Sequence, residues 1–202
     1  MLLLLTKLHS GDTIVKNRKG LIKMDKYTLK VAGLERQLPI MPISDTLSIA
    51  AFVMFSDIEL TVACAQELLK KVGDFDVILT AESKGIPLAY ELARQSGKPY
   101  VVGRKSVKLY MTDPISVSVR SITTRGVQTL YLSQEDAEKL CGKKVLIADD
   151  VISTGESLTA LEKLCEQAGG NICCESAVLA EGEAADRKDI IFLEKLPLFQ
   201  NN

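Results

Sequence analysis

From residue 56 onward the apolar positions follow two rhythms in turn. Short apolar runs at 77–80, 99–102, 144–148, 172–180 and 190–193 have the length and β-branched content of buried strands. Helical spacing fills the intervals. Ser56-Asp57-Ile58-Glu59 reads as a capping box opening a helix that ends near Gly73. A second helix spans 86–95 and is closed by Gly97. A third spans 156–168, with Leu158, Leu161, Cys165 and Ala168 on one face and Gly169-Gly170 as its stop. Residues 116–122 and 127–132 alternate around Thr123-Thr124-Arg125-Gly126, a hairpin pattern, and Ser133 caps a short acidic helix. Alternating strands and helices predict an α/β fold: a doubly wound, mainly parallel sheet with flanking helices. Residues 1–55 leave this rhythm. They are expected to form an N-terminal flap, or hood, over a core of 56–202, within a single domain of 1–202.

Composition narrows the class without changing the picture. The 202 residues are 47% apolar and 25% charged, as in ordinary globular proteins, and long enough to bury a core without staples. Net charge is −1, so a general electrostatic footprint for nucleic acid is missing. Residues 1–30 carry seven Lys/Arg against two Asp/Glu, whereas 133–189 carry six against thirteen. The apolar start Met1–Leu5 is cut short by Lys7 and His9 and has no cleavage site, so export is not expected. The run 47–55 is too short to span a membrane. Five cysteines without a CxxC pair argue against a disulfide framework or a zinc site. They read as reduced, mostly buried thiols of a cytoplasmic protein. The single histidine, His9, lies in a polar stretch, which leaves little room for an imidazole triad. No GxGxxG, Walker lysine loop or HExxH occurs.

In a parallel sheet, ligands sit outside the carboxyl ends of the strands, so the residues after each apolar run matter most. After 144–148 come Asp149, Asp150, Val151, Ile152, Ser153, Thr154, Gly155, Glu156 and Ser157. Two acids are followed by a small hydroxyl-rich turn, and a helix starts at once. The amide N–H groups of such a turn and the helix dipole suit a phosphate. Two carboxylates beside that phosphate would repel it unless they bind sugar hydroxyls or Mg²⁺. Together the residues describe a sugar phosphate site. Taken singly, the acids are a strand-end turn and the Ser-Thr-Gly a helix cap. After 77–80 come Glu82, Ser83, Lys84 and Gly85, a turn able to face an anion. After 99–102 comes a basic cluster, Arg104, Lys105 and Lys108.

The segment 145–158 resembles the signature of the type I phosphoribosyltransferases, which use phosphoribosyl pyrophosphate. The likeness extends over about 77–196. Ala81-Glu82-Ser83-Lys84-Gly85-Ile86-Pro87 is similar to the pyrophosphate loop of the purine members, Arg104-Lys105-Ser106-Val107-Lys108-Leu109 to their basic segment, and 109–132 to their mobile flap. Leu196-Pro197-Leu198-Phe199 is similar to the end of several adenine-type members. The resemblance implies transfer of ribose 5-phosphate to a purine base in salvage, with Mg²⁺ and release of pyrophosphate. It implies phosphoribosyl pyrophosphate binding by 149–157, with Asp149 and Asp150 serving the metal directly or through ribose hydroxyls. Ser83, Lys84, Gly85, Arg104, Lys105 and Lys108 would hold pyrophosphate, and Ile152 and Glu181 would face the base. The basic segment reaches a neighbouring site in relatives, which implies a homodimer.

The chain also departs from the family. Hypoxanthine–guanine enzymes place an Asp three residues after the second acid, where this chain has Ser153. Adenine enzymes have an acid in the flap, where this chain has Ile122-Thr123-Thr124-Arg125. No catalytic base is therefore named. Val117-Ser118-Val119-Arg120-Ser121, with Val127-Gln128-Thr129, is similar to xanthine enzymes and purine-responsive repressors. Yet Glu181 stands where some xanthine enzymes use Lys, and a carboxylate favours adenine or hypoxanthine. The flap region 20–45, with Leu34, Leu38, Ile40 and Met41, is expected to cover the base. A ligand-sensing regulator of the same fold and an orotate enzyme are the alternatives. DNA binding is not expected, because 1–55 lacks a helix-turn-helix pattern.

Overall fold

Five apolar runs of the sequence become the five parallel strands of one sheet. The computed structural model of the chain describes residues 5–7, 13–17, 20–23, 25–120 and 127–201. Their elements are β1 (Leu5–Lys7), β2 (Thr13–Asn17), β3 (Gly20–Lys23), β4 (Lys26–Val31), β5 (Leu34–Pro42), β6 (Leu47–Ala50), α1 (Ile58–Leu69), β7 (Val77–Ala81), α2 (Ile86–Ser96), β8 (Tyr100–Gly103), β9 (Ile115–Arg120), β10 (Val127–Leu132), α3 (Gln134–Leu140), β11 (Lys144–Ile152), α4 (Glu156–Gln167), β12 (Asn171–Glu181), a 3₁₀ turn at Gly182–Asp186, β13 (Ile191–Leu196) and β14 (Leu198–Gln200). Residues 1–4, His9 and the flap tip 121–126 lie outside the described residues.

The chain divides into two compact units, one of residues 1–30, 35–52 and 197–202, the other of 31–34 and 53–196. In the larger unit the strand order is β13-β12-β11-β7-β8, and all four pairings are parallel. β7 feeds α2 and then β8 on one side, while β11 feeds α4, β12 and β13 on the other. Strand order therefore reverses between β7 and β11. Val77, Leu79, Val145 and Ile147 pack with Leu158, Leu161, Leu164 and Cys165 of α4, with Leu130 and Leu132 of β10 and with Leu140 of α3. The alternate positions Ile78 and Leu146 are also fully buried. α2 lies along β7 and β11, and α1 along β12 and β13. Both faces of the sheet are covered, which is why its strands read as unbroken apolar runs.

Helix ends follow local chemistry, with one change. The α1 cap is Asp57 rather than Ser56: its Oδ1 accepts from the Leu60 N–H at 3.1 Å, while Ser56 sits at φ +68. Ser133 caps α3 as expected, accepting from the Asp136 N–H at 3.2 Å. The expected hairpin is β9–β10, paired antiparallel from Ile115↔Leu132 to Arg120↔Val127.

The smaller unit is all β. β1, β2 and β3 form an antiparallel sheet, and a four-stranded sheet has the order β14-β6-β5-β4. β4 and β5 are joined by Ala32 and Gly33, both at positive φ, the turn that suits strand twist. β14 pairs antiparallel with β6, Ser48 Oγ donates to Asn201 Oδ1 at 2.7 Å, and the Tyr27 and Phe199 rings meet edge to face at 5.9 Å. Leu198–Gln200 thus pair in this sheet, not in the parallel sheet of the core in which the sequence pattern placed them. Among the described residues no helix is long and apolar enough to cross a membrane.

All five cysteines are free thiols, but they are not mostly buried. Cys64 and Cys165 are buried, Cys174 is half-buried, and Cys141 and Cys173 are exposed. Residues 171–175 of β12 precede its buried stretch 176–180, which leaves Cys173 at the open end. Burial pushes the Cys165 and Cys174 thiols up to about 11 and raises Cys173 as well. In the native protein at pH 8 a thiol reagent should therefore label Cys141 first, with five thiols titrating only after unfolding. Mass mapping of the labelled peptides checks the order.

Candidate active site

β7 and β11 end beside one another where strand order reverses, and such a reversal opens a crevice at the carboxyl ends. The acid pair stands at its floor. β11 does not stop at Ala148 but runs to Ile152, so Asp149 and Asp150 lie within the strand. The cause is the eleven-residue β12, whose ladder continues through Asp149↔Ala177 and Ile152↔Ala180 after pairing with β7 ends at Ile147↔Leu79. Both acids are thereby fixed by backbone on one side.

Asp149 Oδ1 accepts from the Asp150 N–H at 2.9 Å. Burial, then the charge of Asp150, pushes the Asp149 carboxyl up to about 7, and Lys84 pulls it partly back. Asp150 is 3% exposed. Its Oδ2 lies 3.2 Å from Lys84 Nζ yet accepts no hydrogen bond. Lys84 itself is half in solvent, so the pair joins a buried acid to an accessible cation. The half-buried Glu181 at the end of β12 also faces Lys84: burial raises its carboxyl and Lys84 draws it down.

Gly85 makes this approach possible. Its φ of −70 suits any residue, so the requirement is space. A Cβ there would strike Thr80 Oγ1 and stand 2.7 Å from Asp149 Oδ1. Thr80 is fully buried, and its hydroxyl has no hydrogen-bond partner. Ser83 and Lys84, next to Gly85, are exposed.

The basic cluster is tied to the same turn by Glu82, a residue that the sequence pattern did not single out as an organiser. Its carboxylate accepts from the Lys105 N–H at 3.0 Å and lies 3.7 Å from Arg104 Nε and 3.8 Å from Lys108 Nζ. The Lys105 N–H, with Arg104 and Lys108, holds Glu82 below the usual carboxylate range against the effect of burial. Its own N–H donates to Gly103 O at 2.9 Å. Arg104 exchanges backbone hydrogen bonds with Tyr131 of β10, at 2.9 and 2.8 Å. A lone acid at a strand end, facing a run of cations, was the signal available for Glu82.

Beyond β11, Asp149 and residues 151–158 line a pocket of about 40 Å³. Gly155, at φ +77, starts α4 without a side-chain cap, a junction of turn and helix N-terminus of the kind that suits an anion. Ser157 Oγ lies 3.4 Å from Gln128 Nε2 of β10. Ile152 lines this pocket and is also part of the core, 3% exposed. The structure thus gathers 83–85, 149–157 and Glu181, and couples Arg104, Lys105 and Lys108 to them through Glu82. Among the described residues no group of three or more His, Cys, Asp or Glu could hold a metal.

A family model for the phosphoribosyl transferase domain matches residues 59–197. The chain belongs to this family. It is 34% identical over 141 residues to an adenine phosphoribosyltransferase of Acetivibrio thermocellus, covering 68% of this chain and 79% of that one. It is 36% identical over 118 residues to a hypoxanthine/guanine phosphoribosyltransferase of Methanothermococcus okinawensis, covering 57% and 61%. It is 30% identical over 115 residues to a purine biosynthesis transcriptional repressor of Bacillus subtilis, covering 57% and 39%. The chain therefore spans less than two thirds of the last two relatives. The crystal structure of adenine phosphoribosyltransferase from Thermoanaerobacter pseudethanolicus matches with a TM-score of 0.57 and 27% identity, over 68% of this chain and 80% of that one.

Two outcomes follow from the geometry. Gly85→Ala should cost about 1–3 kcal/mol, because the buried Thr80 hydroxyl and the Asp149 carboxyl would both have to move for a new methyl group. The check is a melting temperature lowered by several degrees. The second concerns pH. The folded Asp149 holds its proton up to about 7, whereas the ordinary value is 3.8. Between these values the folded state binds the proton that the unfolded chain releases, so stability falls as pH rises through the interval. Asp149→Asn should flatten the decline in melting temperature between pH 5 and 8 and raise the value at pH 8.

Proposed function

We propose that the protein is a purine phosphoribosyltransferase. It would transfer ribose 5-phosphate from phosphoribosyl pyrophosphate to adenine or hypoxanthine, giving a nucleoside monophosphate and pyrophosphate. The observation that carries this reading is the approach of Lys84 to the buried Asp150 at 3.2 Å, which joins the turn after β7 to the acid pair of β11. An anion-binding turn and a hydroxyl-binding acid pair on adjacent strands fit a ligand with a diphosphate on one end of a sugar. The uncapped start of α4 fits the 5-phosphate on the other end.

In this reading the backbone of 153–157, with the hydroxyls of Ser153, Thr154 and Ser157, holds the 5-phosphate. Asp149 and Asp150 accept from the ribose hydroxyls. Ser83, Lys84, Gly85, Arg104, Lys105 and Lys108 bind the pyrophosphate. The bond from C1 to the pyrophosphate oxygen breaks as C1 bonds to a base nitrogen, which loses its proton. Positive charge builds on the sugar and negative charge on the leaving group, so the cations lower the barrier by position. Glu181, facing Lys84 across the crevice, would accept from an N–H of the base, and Ile152 would pack against it. Two carboxylates, one with a buried oxygen lacking a hydrogen bond, suit Mg²⁺ that takes its other ligands from substrate and water. When bound, the ion neutralises and orients the pyrophosphate. The protein is further proposed to act in the cytoplasm as a homodimer, with the exposed 105–108 segment near the neighbouring site; sedimentation tests the dimer.

A second reading, a purine-responsive regulator that binds phosphoribosyl pyrophosphate without turning it over, is favoured by the likeness to the repressor. Consumption of phosphoribosyl pyrophosphate with Mg²⁺ against adenine, hypoxanthine, guanine, xanthine and orotate separates the readings. Turnover with adenine or hypoxanthine supports the enzyme. Binding without turnover, with a mobility shift of duplex DNA at physiological salt, supports the regulator, and turnover of orotate alone would assign pyrimidine synthesis. For the site, phosphoribosyl pyrophosphate with Mg²⁺ at about 100 times Kd should raise the parent's melting temperature by roughly 5–10 °C. Asp150→Asn should lose most of that shift while the free protein melts no lower than the parent. A lower free melting temperature with the ligand shift intact would return Asp150 to a structural turn.

A further inference from the structure

Arg187 follows the 3₁₀ turn after β12, thirty residues beyond the phosphate-type turn, and nothing in the sequence pattern marks it. Its guanidinium is nevertheless held in a fixed plane. Nε and Nη2 donate to Asp189 Oδ1 and Oδ2 at 2.9 and 2.6 Å, a two-pronged contact, and Nη2 reaches Glu175 Oε2 at 3.4 Å. Asp189 is an exposed loop residue, but Glu175 belongs to β12, so the fork is anchored to the central sheet. With Nε and Nη2 engaged, Nη1 is the edge turned to Gly155. A Cβ built on Gly155 would stand 3.6 Å from it, an ordinary packing distance. The pocket is lined by Asp149 and 151–158 and not by Arg187. The guanidinium therefore meets the turn at Gly155 without lining the pocket.

We propose that Arg187 is a positioning residue: braced by Asp189 and Glu175, it backs Gly155 and holds the 153–157 turn in its phosphate-binding shape. Gly155 sits at φ +77 and has no side chain to lock it, so the junction of β11 and α4 needs support from outside. Charge points the same way. Glu162 of α4 crowds Glu175, and burial with that neighbour pushes Glu175 up to about 7, against the pull of Arg187. Arg187 thus links the first turns of α4 to β12 through one cation among three carboxylates, Glu162, Glu175 and Asp189. The contact holds α4 at the depth where its N–H groups meet a phosphate.

This inference rests on the sugar-phosphate reading of the turn, and the test keeps the two separable. Affinities for ribose 5-phosphate, which would report the turn, and for pyrophosphate, which would report 83–85 and 104–108, are measured calorimetrically with Mg²⁺. Arg187→Ala alone leaves Glu175 without its cation and is open to simple destabilisation. The informative variant is Arg187→Met with Glu175→Gln, which removes both charges together. It should melt close to the parent, bind ribose 5-phosphate at least tenfold more weakly and bind pyrophosphate unchanged. In turnover the KM for phosphoribosyl pyrophosphate should rise while kcat at saturation holds. Arg187→Lys, which keeps the charge and loses the fork, should recover part of the affinity. Unchanged ribose 5-phosphate affinity in the double variant overturns the role of Arg187 alone. Failure of the parent to bind ribose 5-phosphate or phosphoribosyl pyrophosphate overturns the functional reading, and this role with it.

Discussion

Adjacent carboxylates in a strand that is buried on both faces repel one another, and the surroundings of Asp149 and Asp150 are arranged around that repulsion. Withdrawal from water raises the cost of both charges, and proximity raises it again. One acid answers by holding its proton to about 7. The other is met by Lys84 at 3.2 Å, and its buried oxygen accepts no hydrogen bond among the described residues. Lys84 must therefore reach the floor of the crevice, and the turn that carries it must pass over β11 with almost no clearance. Gly85 follows from this, because the path leaves no room for a methyl group between Thr80 and Asp149. The constraint spreads from an ion pair to a loop path and then to the identity of a residue.

A further group of charges is drawn to the same turn. Glu82 gathers Arg104, Lys105 and Lys108 from the next strand and keeps their backbone beside the turn. Arg104 is at the same time the bridge from β8 to the β9–β10 hairpin through Tyr131. A hairpin joined to the cation segment by two backbone hydrogen bonds shares the fate of that segment. The other end of the hairpin touches α4 through Gln128 and Ser157. The cations are thus joined to the phosphate-type turn through β10, and electrostatically to the turn after β7 through Glu82. Such a link would set the spacing between the two phosphate groups of the proposed ligand.

How much of this could be read along the chain depends on the range of the interaction concerned. The parallel sheet was legible because burial on both faces leaves a local record: runs such as 77–79 and 145–148 contain only side chains that tolerate that environment. Helix stops at Gly97 and the Ser133 cap were legible for the same reason, since both effects act within a few residues. The acid pair and the Ser-Thr-Gly turn stood out through composition at a predicted strand end, and the structure places them at the end of β11 and the start of α4. Where local signals competed, the pattern misled: Ser56 and Asp57 are both good caps, and only the backbone at Ser56 decides between them.

Other features are settled by tertiary structure. The length of β11 depends on β12, which lies about twenty residues further on and extends the ladder past Ala148. The C-terminal residues pair with β6, a strand about 150 residues away, and no local preference encodes that choice. Glu82 and Arg187 look like surface charges in sequence, because their roles consist of partners at Lys105, Lys108, Glu175 and Gly155 that only folding brings near. The sequence by itself determined most of the elements and the motifs that mark the family, since each is written in a few neighbouring residues. Tertiary structure alone decided which distant charges meet, such as Lys84 with Asp150 and Arg187 with Glu175, because a pair formed between separate elements carries no signature along the chain.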